Sequence, residues 1–293
     1  MMAAAPAPWL RPAALAEVRL GITTDEIDED LETAAKFLRQ YGLEEAELRS
    51  IWGKYNTSHP LDKIREAKTL LDGYKVRTSV LSTSFFKIPL PPDTPEGRAV
   101  LDNQWSLLDT AMERAKIMGT DKIRVFAFTY KGGEKPDLAL YPRIYELVSE
   151  AARRAKKRGM RLALENVGGS YVWTGAEAAA LLKAVKEDSL GLTWDPNNAA
   201  TAGEKSFPDG YKLLDPKRIF HLHLRDFKPG KDGKMEWCAV GDGVMDNLGQ
   251  IRALRKDGYQ ESYTLETHFK HPLGKAHASK LSVEALLKII EKV

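Results

Sequence analysis

The stretch Ile219-Phe-His-Leu-His-Leu-Arg-Asp226 decides how this chain is read. In a strand its alternation puts His221 and His223 on one face and Phe220, Leu222 and Leu224 on the other. The run breaks at Arg225 and Asp226 into the loop that begins at Lys228, which leaves His223 beside a strand end. Three more short apolar runs end on an acid: Arg161-Leu-Ala-Leu-Glu165, Gly191-Leu-Thr-Trp-Asp195 and Ser262-Tyr-Thr-Leu-Glu266. In each, the face shared with the acid is small or polar (Ala163, Thr193, Thr264), while the opposite face is bulky (Leu162, Leu164; Leu192, Trp194; Tyr263, Leu265). Four strand ends thus present Glu, Asp, His and Glu.

Working outward from these runs, residues 18–22 predict a first strand and 28–41 a helix stopped by Gly42, with Leu31, Ala34, Ala35 and Leu38 on one face. The pattern continues with a strand over 46–51, a helix over 61–74, a strand over 76–81, a helix over 95–118, a strand over 122–128 and a helix over 137–158. Between the later strands lie helices over 175–186 and 246–256 and, at most, a helical turn over 211–214; a helix over 282–293 ends the chain. Eight strands alternating with helices, with no break in composition, predict a single (β/α)8 barrel over 17–293 behind an Ala/Pro-rich segment at 1–16. An open doubly wound sheet is the rival, but no Gly-x-Gly-x-x-Gly turn follows the first strand.

Composition excludes several classes. The 293 residues are 43% hydrophobic and 29% charged, and the net charge of +3 comes from interspersed basic and acidic residues, with no basic groove for nucleic acid. No apolar run is long enough for a membrane span, so a cytoplasmic protein is expected. The single cysteine, Cys238, rules out a disulfide within one chain and a cysteine-rich zinc site.

In a barrel the C-terminal strand ends converge on one mouth, which would gather Glu165, Asp195, His223 and Glu266. Three carboxylates at such range repel unless a cation sits among them. One nitrogen and three carboxylates suit one divalent metal ion, Mn²⁺ first, with Mg²⁺, Co²⁺, Fe²⁺ and Zn²⁺ compatible. The competing reading of each acid alone is a helix cap or a partner for a lysine. His221, one layer deeper, reads as a supporting histidine rather than a ligand. Around the substrate we expect Asn198, Arg225, Asp226, Lys87 and His221. Arg225, Lys228 and Lys87 are placed to anchor a phosphate or orient hydroxyls, and Asp226 to orient a ligand or hold its loop. His268 and His271 follow Glu266 as further contacts, and Phe86, Trp173 and Trp237 lie in loops aimed at the mouth.

The runs Ala163-Leu-Glu-Asn166, Thr193-Trp-Asp-Pro-Asn-Asn198, His221-Leu-His-Leu-Arg-Asp226, Val240-Gly-Asp-Gly243 and Leu265-Glu-Thr-His268 resemble the sugar phosphate isomerase/epimerase superfamily. These are xylose isomerase-like barrels that include ketose 3-epimerases and inosose dehydratases. The resemblance covers the second half by motif and the first by architecture. It implies one catalytic divalent metal on Glu165, Asp195, His223 and Glu266, the set the strand ends already give. It also implies that Glu165 and Glu266 move a proton next to a carbonyl, through a cis-enediolate, on a sugar or sugar phosphate. Homo-oligomers are common among such barrels. One departure is Asn198, where many members have a histidine; an amide cannot serve as acid or base. Alternatives are an inosose-type dehydratase, and a barrel that binds sugar or metal without turnover. An endonuclease IV-type nuclease needs more histidines at strand ends than Thr23-Thr24, Trp52 and Ser82-Thr83 supply.

Overall fold

The computed structural model describes residues 18–130, 136–230 and 234–293, so the Ala/Pro-rich segment expected at 1–16 lies outside the described residues. Short runs of alternating residues become eight parallel strands: β1 (Leu20–Thr23), β2 (Glu45–Leu48), β3 (Arg77–Ser82), β4 (Lys122–Val125), β5 (Arg161–Glu165), β6 (Leu190–Trp194), β7 (Ile219–Leu224) and β8 (Tyr263–Leu265). They pair in sequence order into a closed barrel. The ring is completed where β1 meets β8, with Leu20 opposite Tyr263 and Ile22 opposite Leu265. Gly191 in β6 is required by close approach: a Cβ there would meet the Arg218 carbonyl oxygen at 2.5 Å and the Phe220 ring at 2.6 Å.

The outward strand residues, such as Leu162, Leu164, Leu192, Leu222 and Leu224, are buried under the helical layer. That layer comprises α1 (Leu31–Gln40), α2 (Leu61–Gly73), α3 (Pro95–Met118), α4 (Tyr141–Lys157), α5 (Gly175–Ala184), α6 (Pro196–Thr201), α7 (Asn247–Lys256) and α8 (Lys275–Ile290). Local chemistry sets the ends. Thr94 caps α3 through Gly97 N–H, Pro95 takes the first turn where no N–H is needed, and Gly119 (φ 75°) ends the helix in the left-handed region. Thr174 and Glu177 form a capping box at the start of α5.

Several boundaries differ from the sequence reading. β2 stops at Leu48, because Ser50–Ile51 turns back on Lys54–Tyr55 as a hairpin whose central Trp52 (φ 48°) and Gly53 (φ 74°) have the backbone of a primed turn. β4 stops at Val125, three residues early, and Phe128 (φ 58°) bends the chain instead. The residues before Tyr141 form a 3₁₀ turn, Leu138–Leu140, rather than α-helix. α8 starts at Lys275, seven residues before the expected 282, with Gly274 (φ 93°) as its break and Ala278 and Ser279 already buried. The barrel's second antiparallel hairpin, Asp226–Pro229 with Met235–Cys238, rises from the end of β7. Among the described residues no helix is long and apolar enough to cross a membrane.

The barrel interior is largely charged rather than apolar. At its floor Glu261 holds Lys122 and Arg161 (2.9 Å each), Arg161 holds Asp121 (2.6 Å), and Glu45 holds Arg19 and Arg77 (3.0 Å each). Above that floor the inward positions are Glu47, Arg124, His221 and His223, all buried.

Candidate active site

β5, β6, β7 and β8 deliver Glu165, Asp195, His223 and Glu266 to one point, where their donor atoms all lie within 4.8 Å of one another. His223 Nδ1 faces the three carboxylates at 3.5 Å (Glu165), 3.8 Å (Asp195) and 3.6 Å (Glu266), long for N–H···O bonds. Nδ1 and Glu266 Oε2 are buried without hydrogen-bond partners. Its other nitrogen, Nε2, lies 2.8 Å from Glu47 Oε2, which also takes His221 Nε2 at 2.9 Å. A carboxylate behind one imidazole nitrogen fixes a proton there, so that a cation arriving at the other nitrogen has only that second proton to displace. Burial works against charge on both histidines. On His223 the neighbouring Glu47 and Glu266 outweigh it and hold the ring well above the usual histidine range; on His221 burial prevails and pushes it down. Burial likewise pushes Asp195 and Glu266 up, but Arg225 beside the first and His268, His223 and Arg225 beside the second hold both carboxyls below their usual values. An orphaned imidazole nitrogen facing ionised carboxylates is a donor set that fits a divalent cation.

Three arginines stand behind the acids. Arg124 Nη1 is 2.9 Å from Glu165 Oε2, Arg49 Nη1 is 3.0 Å from Glu266 Oε1, and Arg225 Nη2 is 2.5 Å from Asp195 Oδ2. Arg49 also holds Asp25 (2.9 Å) and Glu26 (2.6 Å). Asn198, in the first turn of α6, receives Arg225 Nη2 on Oδ1 (2.8 Å) and points Nδ2 at Asp195 Oδ2 (3.1 Å) and Glu165 Oε1 (3.4 Å). These residues open into a cavity of about 380 Å³ whose walls include Tyr55, Lys87, Trp237 and His268. A larger hollow, about 750 Å³, lies on the outer flank between α3 and the end of α4 and includes none of the strand-end residues.

The expected substrate set divides. Asn198, Arg225 and Lys87 reach the cavity, as do Trp237 and His268. His221 lies below it, fully buried against Glu47. Asp226 turns to its own loop, where its carboxylate accepts N–H bonds from Phe227 (2.9 Å), Gly241 (2.9 Å), Gly243 (3.3 Å) and Met245 (3.1 Å). Phe86 is buried and stacked on Phe128, and Trp173 braces α6 through Nε1 to the Asn198 carbonyl. His271 pairs with His277, and Lys228 is exposed on the hairpin. Sequence reading missed Glu47, Arg49, Arg124 and Tyr55. For Glu47 and Arg124 the pattern reads two ways: Glu45-Ala-Glu-Leu48 and Lys122-Ile-Arg-Val125 alternate charged with apolar residues, as an inward-facing polar row or a solvated face would.

The strand ends of this closed (β/α)8 barrel thus gather a histidine and three carboxylates around one point at its mouth, a group that could hold a metal ion. The family model described as xylose isomerase-like TIM barrel matches residues 31–289, and the chain belongs to that family. Solved structures share the fold at low identity. The IolI protein with a bound zinc atom aligns with a TM-score of 0.75 at 18% identity, covering 94% of this chain and 99% of that one. A xylose isomerase-like barrel from Mycobacterium smegmatis in complex with magnesium gives 0.66 at 16%, covering 94% and 96%. A D-allulose 3-epimerase from Methylomonas sp., in complex with D-allulose, gives 0.69 at 17%, covering 94% and 98%. No curated protein matches the sequence.

Proposed function

We propose that this protein is a divalent-metal-dependent isomerase or epimerase of a carbohydrate, working by proton transfer next to a carbonyl. The observation that carries the reading is the convergence of Glu165, Asp195 and Glu266 on the orphaned Nδ1 of His223. These four residues would hold the ion, with Mn²⁺ preferred on the chemistry of the donor set. When bound, the metal supplies Lewis acidity at a carbonyl oxygen and its neighbouring hydroxyl. The chain's own residues do the rest. Glu165 and Glu266 enter from β5 and β8, so one carboxylate takes the proton from the carbon beside the carbonyl and the other returns one. Return to the opposite face of that carbon gives epimerisation; return to the adjacent carbon gives isomerisation. Arg225, fixed by Asp195 and Asn198, offers hydrogen bonds where negative charge grows on the substrate oxygens. Trp237, within 4.5 Å of the Arg225 guanidinium, presents a flat apolar wall to a sugar ring.

The test is metal analysis of protein purified without chelator, beside a Glu165→Gln, Glu266→Gln double variant, followed by exchange of substrate C–H for solvent deuterium over a panel of ketoses. About one equivalent of metal, lost in the variant, with exchange into at least one ketose, is the expected outcome. Failure to retain any divalent ion after incubation would refute the reading.

A further inference from the structure

The three arginines do not hold their carboxylates alike. Each of the three acids has one oxygen nearest His223 Nδ1: Oε1 of Glu165 (3.5 Å), Oε2 of Glu266 (3.6 Å) and Oδ2 of Asp195 (3.8 Å). Arg124 takes the far oxygen of Glu165, Oε2 (2.9 Å), and Arg49 the far oxygen of Glu266, Oε1 (3.0 Å). Both leave the near oxygen facing the imidazole. Arg225 does the opposite. Its Nη2 lies on the near oxygen of Asp195, Oδ2 (2.5 Å), and its Nη1 is 3.4 Å from the near oxygen of Glu266, Oε2. Its guanidinium thus reaches for oxygens that an ion among the four residues would use.

Asp195 Oδ2 is fully engaged. It receives Asn198 Nδ2 (3.1 Å) besides Arg225, while Oδ1 accepts the Asn198 N–H (2.9 Å) at the start of α6. An oxygen with two lone pairs and two donors has none left for a metal bond, so one donor must leave when an ion arrives, and the cation is the one that like charge repels. Without Arg225, both Asn198 bonds still orient the carboxylate. The arginine also has other holds: Asn198 Oδ1 accepts Nη2 (2.8 Å), His268 Nδ1 accepts Nη1, and the Trp237 ring centre lies 4.5 Å from the guanidinium carbon. It can therefore give up Oδ2 and stay in the cavity.

We propose that Arg225 and a divalent ion exclude one another at Asp195 Oδ2, so that Arg225 gates metal loading and turns the N–H it releases toward the carbohydrate oxygens. This rests on the metal-dependent reading of the site and adds a residue that competes with the ion.

The test is titration of Mn²⁺ into stripped wild-type protein, Arg225→Met and, as a control matched in charge, Arg49→Met. Each variant removes one positive charge, but only the first releases a near oxygen. Arg225→Met should bind Mn²⁺ more tightly than wild type and at least about tenfold more tightly than Arg49→Met. Equal affinity in the two variants, or weaker binding by Arg225→Met than by wild type, would overturn the proposal. A second readout needs no change at Arg225. Mg²⁺, which does not quench indole, should shift the emission of Trp237 as the guanidinium beside it moves, and Trp237→Phe should lose that change. Mg²⁺ bound with no emission change carried by Trp237 would also count against the gate. Failure of the wild type to bind either ion refutes the metal reading and this inference with it; ions that bind without either effect defeat this inference alone.

Discussion

Glu47 reaches both interior histidines with a single oxygen, Oε2, while Ser82 Oγ donates to the other. It therefore decides which nitrogen of His223 is free to face Glu165, Asp195 and Glu266. Glu47→Gln should fold normally by circular dichroism but weaken metal binding about 10- to 100-fold, read by titration of Mn²⁺ into stripped protein. An unchanged affinity would show that the ring is oriented by packing alone. Cys238 gives a second prediction at this scale. Burial pushes its thiol up to about 11, so thiolate is scarce at neutral pH and rises only as pH climbs toward that value. Alkylation by iodoacetamide at pH 7.5 should be far slower than in unfolded protein, and mass spectrometry would show prompt modification if the assignment is wrong. Single residues also mark the limit of what could be read in advance. Glu165, Asp195 and Glu266 end apolar runs and so stand out in the sequence; Glu47 and Arg124 sit mid-strand among residues that look like a solvated face. Only the closure of the barrel turns that face inward.

Elements were legible where one periodicity ran uninterrupted. The α3 span 95–118 is bounded by Pro95 and Gly119, and the structure has the same limits. Where backbone conformation decides, the letters were less informative: Trp52, Phe86, Phe128 and His268 all take positive φ just beyond barrel strands, and nothing about a tryptophan or phenylalanine announces that. The first turns of α8 were missed because Lys275-Ala-His-Ala-Ser-Lys280 is polar, although Lys275 is tied to the Asp25 carbonyl (3.1 Å) and Glu29 (2.5 Å). The capping box of α5 allows a direct measurement. Thr174→Ala removes the acceptor for Glu177 N–H and should cost about 1 kcal/mol, seen as a fall in melting temperature of roughly 2 °C. No shift would mean that packing of Leu181 and Leu182 alone defines the helix start.

At the scale of the molecule, the site occupies one end of the barrel and an ion network the other. Glu261 binds Arg19 (3.7 Å), Lys122 (2.9 Å) and Arg161 (2.9 Å), and the Lys122 side chain is only 6% exposed. Glu261→Gln leaves that ammonium with Asp121 at 3.6 Å as its remaining anion and should cost about 3 kcal/mol, measured by urea unfolding, without altering metal affinity at the far end. Burial pushes the Glu261 carboxyl up, but Lys122 and Arg161 outweigh it and hold it below its usual value. The stability it contributes is therefore complete above the unfolded carboxylate range and drains away as pH falls through the lower folded value. The variant should show a shallower loss of stability on the acid side, and an identical slope would count against the network.

The pairing of Leu20–Ile22 with Tyr263–Leu265 has a consequence for how the chain is made. Of the eight barrel strands, the first to leave the ribosome has its final neighbour supplied last, so until β8 emerges one side of β1 is a bare row of amides and carbonyls. An open edge of that kind is a template for pairing with other chains. Closure is also a contact between distant parts of the sequence, the sort that forms slowly. The hazard this protein faces at birth is thus less a failure to build its helices than a wait, edge exposed, for its own last strand.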